Sequence, residues 1–484
     1  MAVTTNEPTS SAKAAWIGLF LGPIILLACV FTSAPEGMSQ QAWYVVGMTL
    51  LMAIWWATEA IPIPATSLAP ILLIPLLGID TVKVASAAYA DPTIYLFLGG
   101  FVIGLAMQRW NLHRRIALNV VLAMGSNPSR QIAGFMIATG FLSMWVSNTA
   151  TAIMMLPIGL SVIDMLASEK TAAPERERFA TSLLLAIAYA SSIGGIATLI
   201  GTPPNAFLAA FLSQTYNIEI GFGRWMLLGV PLAAVLMALT WWWLTRGGFK
   251  LEGNDSTHLI RQELEALGPM SRGEKLVTVV FLSAALAWIF RPLLADYISG
   301  LNDTSIAIAA ALAMFMIPVD HKQRVFLMDW QSASKLPWGV LLLFGGGLAL
   351  AGAISNSGLA TWIASNMDWL GGLPSIMMIA VVVMVILLLT EVTSNTATAA
   401  TFLPLLGALA IAQGVPPQLL AVPAAIAASC AFMMPVATPP NAIVFGTGHM
   451  KIQSMMKAGM ALNVFSIVLS TLFAYGLVDV LWAS

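Results

Sequence analysis

The chain has 484 residues, of which 59% are apolar and 9% charged. Soluble domains carry about 25% charged residues, so 21 basic and 22 acidic side chains are too few to wet a soluble particle of this length. A soluble multidomain enzyme, a disordered chain and a nucleic-acid binder are thereby excluded, while the net charge of −1 says nothing about partners. What remains is an all-α polytopic membrane protein, because a segment crossing lipid satisfies its backbone polar groups as a helix.

Apolar runs that approach the roughly 20 residues needed to cross the hydrocarbon core begin at 16–30 and recur to the end of the chain. The first run follows a polar start whose only basic residue is Lys13 and shows no convincing cleavage site, so it reads as a retained span rather than a signal peptide. Residues 109–125 are long enough for a short helix along the membrane surface or for an ordinary loop, and 354–370 read the same way. The longest charged stretch, 246–275, carries both signs and reads as a solvated connection. Cys29 and Cys430 sit in separate apolar runs and support neither a disulfide nor a metal site.

Orientation follows from loop charge. With the N-terminus cytoplasmic, 18 of the 21 basic residues, among them Arg114, Lys170, Arg272 and Lys322, fall inside. Only Lys83, Arg224 and Arg291 fall outside, the asymmetry expected of cytoplasmic loops. This split requires that 131–167 enter from the inside and return there, and that 374–413 do the same from the outside. About 11 transmembrane helices plus two re-entrant helical hairpins result, with the C-terminus outside. Trp55, Trp56 and the 241–243 tryptophans then fall at inner helix ends, as an aromatic belt would.

The chain is also a duplication. SNTATAIMMLPIG at 147–159 is answered by SNTATAATFLPLL at 394–406, an offset of 247 residues. GTPPNA at 201–206 is answered by ATPPNA at 437–442, an offset of 236. The topology above sets the two repeats in opposite orientations. Inverted repeats with interrupted apolar segments in matching places point to a transporter binding site at the midplane.

Each SNT falls where a hairpin must turn. Ser, Asn and Thr are strong helix N-caps, and the helix they start aims its unpaired N–H groups into the cavity, an arrangement that attracts anions. Their oxygens and freed carbonyls also suit a hard cation such as Na⁺. Ser143 and Thr390 lie four residues before Ser147 and Ser394, adding a hydroxyl on the same helical face. Each TPPN breaks a helix, since two prolines remove donors, and a break at membrane depth is tolerated only against protein or a cavity. One such motif alone is explained as well by helix bridging or kinking; four motifs in two matched pairs are not. Gly99, Gly100 and the 345–347 glycines read as close helix packing and the 27 methionines as core filler.

No basic residue is predicted near the motifs. A bound anion would be held by neutral donors, helix ends and co-bound cations, which is a physical argument for Na⁺ coupling. Glu391 is the ionisable group nearest a motif; orienting the second hairpin or its ions and a water-exposed structural role are both open. Glu59 and Asp164 read as interfacial. The histidines at 113, 258, 321 and 449 form no ligand cluster, and no nucleotide loop or catalytic set is visible, so the chain does not read as an enzyme.

The paired SNT and TPPN motifs resemble those of the divalent anion:sodium symporter family, and the likeness runs over nearly the whole chain. The resemblance implies a homodimer in the plasma membrane, the inner membrane of a bacterium, that imports C4-dicarboxylates such as succinate with Na⁺. It implies scaffold parts at 1–125 and 276–372 and mobile transport parts at 126–245 and 373–484, linked by surface helices near 109–125 and 354–370, with 246–275 as a cytoplasmic loop and elevator-type alternating access. By motif position, one Na⁺ site would use Ser143, Ser147, Asn148 and the Gly201 carbonyl. The other would use Thr390, Ser394, Asn395 and the Ala437 carbonyl. Substrate would meet Asn148, Thr149, Asn395 and Thr396, with Thr202, Thr438 and Pro439 nearby. The alternatives are a sodium-independent dicarboxylate exchanger and a sulfate or citrate symporter; an intramembrane enzyme and a channel are the readings from other classes.

Overall fold

The computed structural model describes residues 10–166, 171–251, 257–365 and 374–482. Lys170, residues 252–256 of the long connection and the end of the 354–370 stretch lie outside the described residues. The chain is almost wholly helical, and the only strands among the described residues are Pro318–Asp320 and Val325–Phe326.

The two repeats match element for element. In the first, Pro92–Arg109 is followed by the amphipathic helix Leu112–Ala123 and the arms Pro128–Ser143 and Asn148–Leu166. Ala173–Ile196, Pro203–Tyr216 and Phe222–Thr245 complete it. In the second the same series runs Trp338–Asn356, Leu359–Ser365, Ser375–Thr390, Asn395–Ala412, Pro417–Ala428, Pro439–Phe445 and Ile452–Trp482. The fall in offset from 247 to 236 now has a location. The helix before the break has 24 residues in the first repeat and 12 in the second.

Both predicted hairpins are helix–turn–helix units whose arms touch each other and the helix that follows them. The halves interlock: Asn148–Leu166 packs on Pro439–Phe445, and Asn395–Ala412 packs on Pro203–Tyr216. Phe222–Thr245 and Ile452–Trp482 also lie together. Each hairpin therefore shares a face with the broken helix of the other repeat.

Eight helices among the described residues are long and apolar enough to cross a membrane unaided. Two of them, Asn148–Leu166 and Asn395–Ala412, are second arms of hairpins. Other apolar helices are shorter, as Pro417–Ala428 is where the break cuts it, so length alone gives a smaller number than the 11 spans read from apolar runs.

Two expectations are corrected. The connection 246–275 is not simply solvated. It contains Thr257–Ala266, whose Ile260 is fully buried and whose Glu263 pairs with Arg114 of the surface helix. Glu274 just beyond accepts from Arg115 Nε at 2.6 Å. Opposite charges on an amphipathic helix and its neighbour thus dock a segment that looked like linker. Trp56 is core rather than belt: its ring is buried and its Nε1 lies 3.3 Å from Ile63 O.

The glycines close the packing as expected. A Cβ at Gly99 would lie 2.7 Å from the Ala307 carbonyl carbon, and one at Gly346 would lie 2.8 Å from Ser67 Cα. Gly352, on the same helix as Gly346, faces open space. Gly346→Ala should therefore lower stability by about 1–3 kcal/mol through overpacking. Gly352→Ala should be neutral or stabilising by about 0.5–1 kcal/mol from chain entropy. Thermal unfolding in detergent compares the two.

Candidate functional site

The first hairpin arm starts on the Asn127 side chain, which accepts from Ser129 N and Arg130 N, and it ends at Ser143. The chain turns through 144–147 and restarts at Asn148. Ser147 Oγ accepts from Ala150 N at 3.3 Å, as an N-cap does. Four oxygens or amide atoms meet beside this turn. Ser143 Oγ donates to Ser191 O at 2.6 Å and contacts the Asn148 amide at 2.5 Å. The same amide atom lies 3.1 Å from Ser191 O and 3.3 Å from Gly201 O. Two arrangements satisfy this cluster. Either the amide nitrogen points inward and donates to both carbonyls, or the amide oxygen points inward and a cation takes the lone pairs.

The second hairpin repeats the geometry. Thr390 Oγ1 lies 2.8 Å from Asn395 Oδ1 and donates to Ala428 O at 2.9 Å. Ala428 stands to Thr390 as Ser191 stands to Ser143. Ser143 and Thr390 are fully buried, whereas Asn148, Thr149, Asn395 and Thr396 are half-buried.

The breaks are built to a common plan. Thr202 and Thr438 cap the post-break helices in extended backbone, with φ −142° and −141°. Two prolines follow each. Asn205 is fully buried and its Nδ2 donates to Gly195, Ile196 and Thr198 carbonyls, the last at 2.9 Å. Asn441 Nδ2 donates to Ala431 O at 3.2 Å and Met434 O at 3.1 Å. The asparagine of TPPN thus holds carbonyls of the segment that leads into the break. The two breaks meet where Thr202 Oγ1 lies 3.3 Å from Ser429 Oγ.

The structure brings together Ser143, Asn148 and Gly201 in one half and Thr390 and Asn395 in the other. Ser147 stays a cap, the Ser394 side chain makes no capping bond, and Pro439 is exposed. No hydrogen bond among the described residues joins Ser147, Ser394 or Ala437 to the two clusters. The carbonyls of Ser191 and Ala428 and the hydroxyl of Ser429 were not anticipated. For the carbonyls the available signal was the helix facing each hairpin, since a carbonyl leaves no mark in sequence. Glu391 is buried rather than water-exposed, at 5% exposure. The ion pairs among the described residues, such as Arg115–Glu274, Arg291–Glu219 and Lys451–Glu177, all lie away from the motifs.

Interlocked repeats with broken helices and two polar hairpin tips have the architecture of a secondary transporter. The family model for the sodium:sulfate symporter transmembrane region matches residues 13–482, and the chain belongs to this family. Among its relatives, the sodium-dependent dicarboxylate transporter SdcS of Staphylococcus aureus strain USA300 is 46% identical over 471 residues, covering 95% of this chain and 90% of that protein. SdcS of strain NCTC 8325 is equally similar. The fold resembles that of Neisseria gonorrhoeae MtrF, described with a class of antimetabolite efflux pumps, at a TM-score of 0.61 and 12% identity, covering 97% and 95% of the two chains. It also resembles the Alcanivorax borkumensis YdaH transporter at 0.54 and 14%, covering 97% and 98%.

The asparagine clamps give a direct test. Asn205→Leu and Asn441→Leu each remove the donors to buried carbonyls, at about 1–3 kcal/mol per orphaned group. Both variants should melt lower than wild type in detergent, whereas Asn148→Leu at the half-buried tip should lose less.

Proposed function

We propose that the chain is a Na⁺-coupled secondary symporter that imports small dianions, with C4-dicarboxylates such as succinate as substrate. The observation that carries this reading is the pair of matched oxygen clusters at two hairpin tips, with no basic side chain among the described residues paired beside them. A dianion there needs cations to offset its charge. The relative's name, a sodium-dependent dicarboxylate transporter, supports the same substrate and ion.

On this reading one Na⁺ sits among Ser143, Asn148 and the Ser191 and Gly201 carbonyls, with Ser147 behind them. The Asn148 amide oxygen, facing only acceptors when it points inward, suits a cation at that spot. The second Na⁺ sits among Thr390, Asn395 and the Ala428 carbonyl, with Ser394 and the Ala437 carbonyl completing the shell. The succinate carboxylates accept from the Asn148 and Asn395 amides, the Thr149 and Thr396 hydroxyls and the open N–H groups of both arms. Thr202, Thr438 and Pro439 edge the space. Na⁺ bound first turns two neutral tips into an anion site, and the loaded site is what moves.

The interlocking of hairpins and breaks across the repeats supports a transport part made of 126–245 and 373–484, riding on a scaffold made of 1–125 and 276–372. The amphipathic helix Leu112–Ala123 links the two. We assign an elevator-type movement of the first past the second, a homodimer, and a cytoplasmic N-terminus with the C-terminus outside. The family's description names sulfate, which keeps a sulfate symporter as the second reading.

In proteoliposomes, labelled succinate uptake should follow an imposed Na⁺ gradient, with excess unlabelled succinate competing better than citrate or sulfate. Uptake indifferent to Na⁺ that needs internal counter-substrate would identify an exchanger instead. Asn148→Ala and Asn395→Ala should each abolish uptake while leaving yield and monodispersity near wild type; wild-type flux in either would refute the assignment.

A further inference from the structure

Each hairpin turn is fastened to the break of its own half, and the two fastenings differ in charge. In the first half Thr198 Oγ1 donates to Met144 O at 2.6 Å. At the repeat offsets of 247 and 236, Met144 corresponds to Glu391 and Thr198 to Met434. In the second half the direction is the same, break donating to turn, but side chain and backbone exchange roles. Glu391 Oε2 accepts from Met434 N at 3.1 Å, and Oε1 accepts from Phe432 N at 2.9 Å and Met433 N at 3.0 Å. Asn463 Nδ2, from the last helix, adds a bond to Oε1 at 2.8 Å. Every hydrogen-bond partner of the carboxylate among the described residues is an N–H donor, so both oxygens act only as acceptors, the arrangement of a carboxylate in a backbone nest. No basic side chain pairs with it among the described residues.

Resting on the cation sites assigned above, we propose that Glu391 is a positioning residue whose fixed charge makes the half-site of Thr390, Asn395 and Ala428 the stronger cation site, filled before the dianion enters. Glu391 follows Thr390 directly in the chain, and its brace locks the turn that carries both ligands to the unwound 432–434 segment. A negative charge held there attracts a cation into the neighbouring oxygens and opposes a dianion until the cation has arrived. The first half has the matching hydroxyl, amide and carbonyl, with Gly201 O besides, and an equivalent brace without the charge, so on the strength of that charge its cation binds less tightly.

Charge and brace separate by substitution. Purified protein is melted across a Na⁺ titration without substrate, and succinate uptake is measured against Na⁺ in proteoliposomes. Glu391→Gln removes the charge and should raise the Na⁺ midpoint by roughly threefold or more, with apparent succinate affinity at saturating Na⁺ equal or tighter. Glu391→Asp keeps the charge but shortens the brace, so it should melt lower with a near wild-type Na⁺ midpoint. Thr198→Val loosens the neutral brace and should lower the melting temperature alone. A wild-type Na⁺ midpoint in Glu391→Gln, or a midpoint in Thr198→Val shifted as far, overturns the proposal. Weakened succinate affinity at saturating Na⁺ in Glu391→Gln does so as well. Should Glu391→Gln not fold, Asn463→Ala decides. It removes one donor and leaves the charge, so its midpoint should stay at or below wild type, and a threefold rise defeats the proposal. Wild-type protein that Na⁺ stabilises but that does not carry succinate would sink the substrate reading and leave this inference standing; protein that Na⁺ does not stabilise sinks both.

Discussion

Backbone released from a helix inside a membrane protein has no water to bond to, and that constraint organises this molecule. The prolines at 203–204 and 439–440 end one helix and start another, which frees carbonyls in the residues just before them. The asparagine that follows each pair turns its amide back to carbonyls 7 to 10 residues upstream, on the far side of the break. Glycine is needed where the unwound strand folds back on itself: a Cβ at Gly195 would lie 3.0 Å from Gly201 O and 2.9 Å from the Asn148 amide. The Ser191 and Ala428 carbonyls are held instead by hairpin hydroxyls, those of Ser143 and Thr390.

Duplication makes the site from parts neither half has alone. Each hairpin tip is backed by its own half's break, and each second arm leans on the post-break helix of the other half. The contact between Thr202 and Ser429 ties the two breaks together. The repeats diverge where sequence is free to diverge. The helix before the second break is shorter by 12 residues, 12 against 24, and a carboxylate has replaced a backbone carbonyl in its brace. The clusters themselves have kept hydroxyl, amide and carbonyl in register.

Much of this was legible in the sequence for physical reasons. The hairpins, the breaks and the glycine contacts are each forced by local chemistry, N-caps, prolines and the absence of a side chain, and local chemistry is written in residue type. The docked helix Thr257–Ala266 was not legible, because its place depends on Glu263 finding Arg114 across 149 residues of chain. Trp56 misled for a related reason: an indole at a helix end suits an interface equally well as a core, and only the Ile63 carbonyl decides between them. The hairpin-tip clusters were half legible. Ser143, Asn148, Thr390 and Asn395 announce themselves, while the Ser191 and Ala428 carbonyls that complete the clusters carry no signature at all. Glu391 was visible as the ionisable group nearest a motif, with a buried and a water-exposed role both open, because its three backbone donors belong to a segment whose unwinding only the fold reveals.

Why the tips should be neutral follows from coupling. A lysine or arginine in the site would hold a dicarboxylate whether or not Na⁺ were present, and the ion gradient would then do no work on the solute. Neutral donors leave the dianion's affinity dependent on the cations beside it, and by linkage the cations' affinity depends equally on the dianion. Under the proposed reading the absence of a basic anchor is therefore the thermodynamic requirement for symport. A single fixed carboxylate sharpens it, because a charge that favours the cation and disfavours the anion penalises the half-loaded state in which substrate would bind alone.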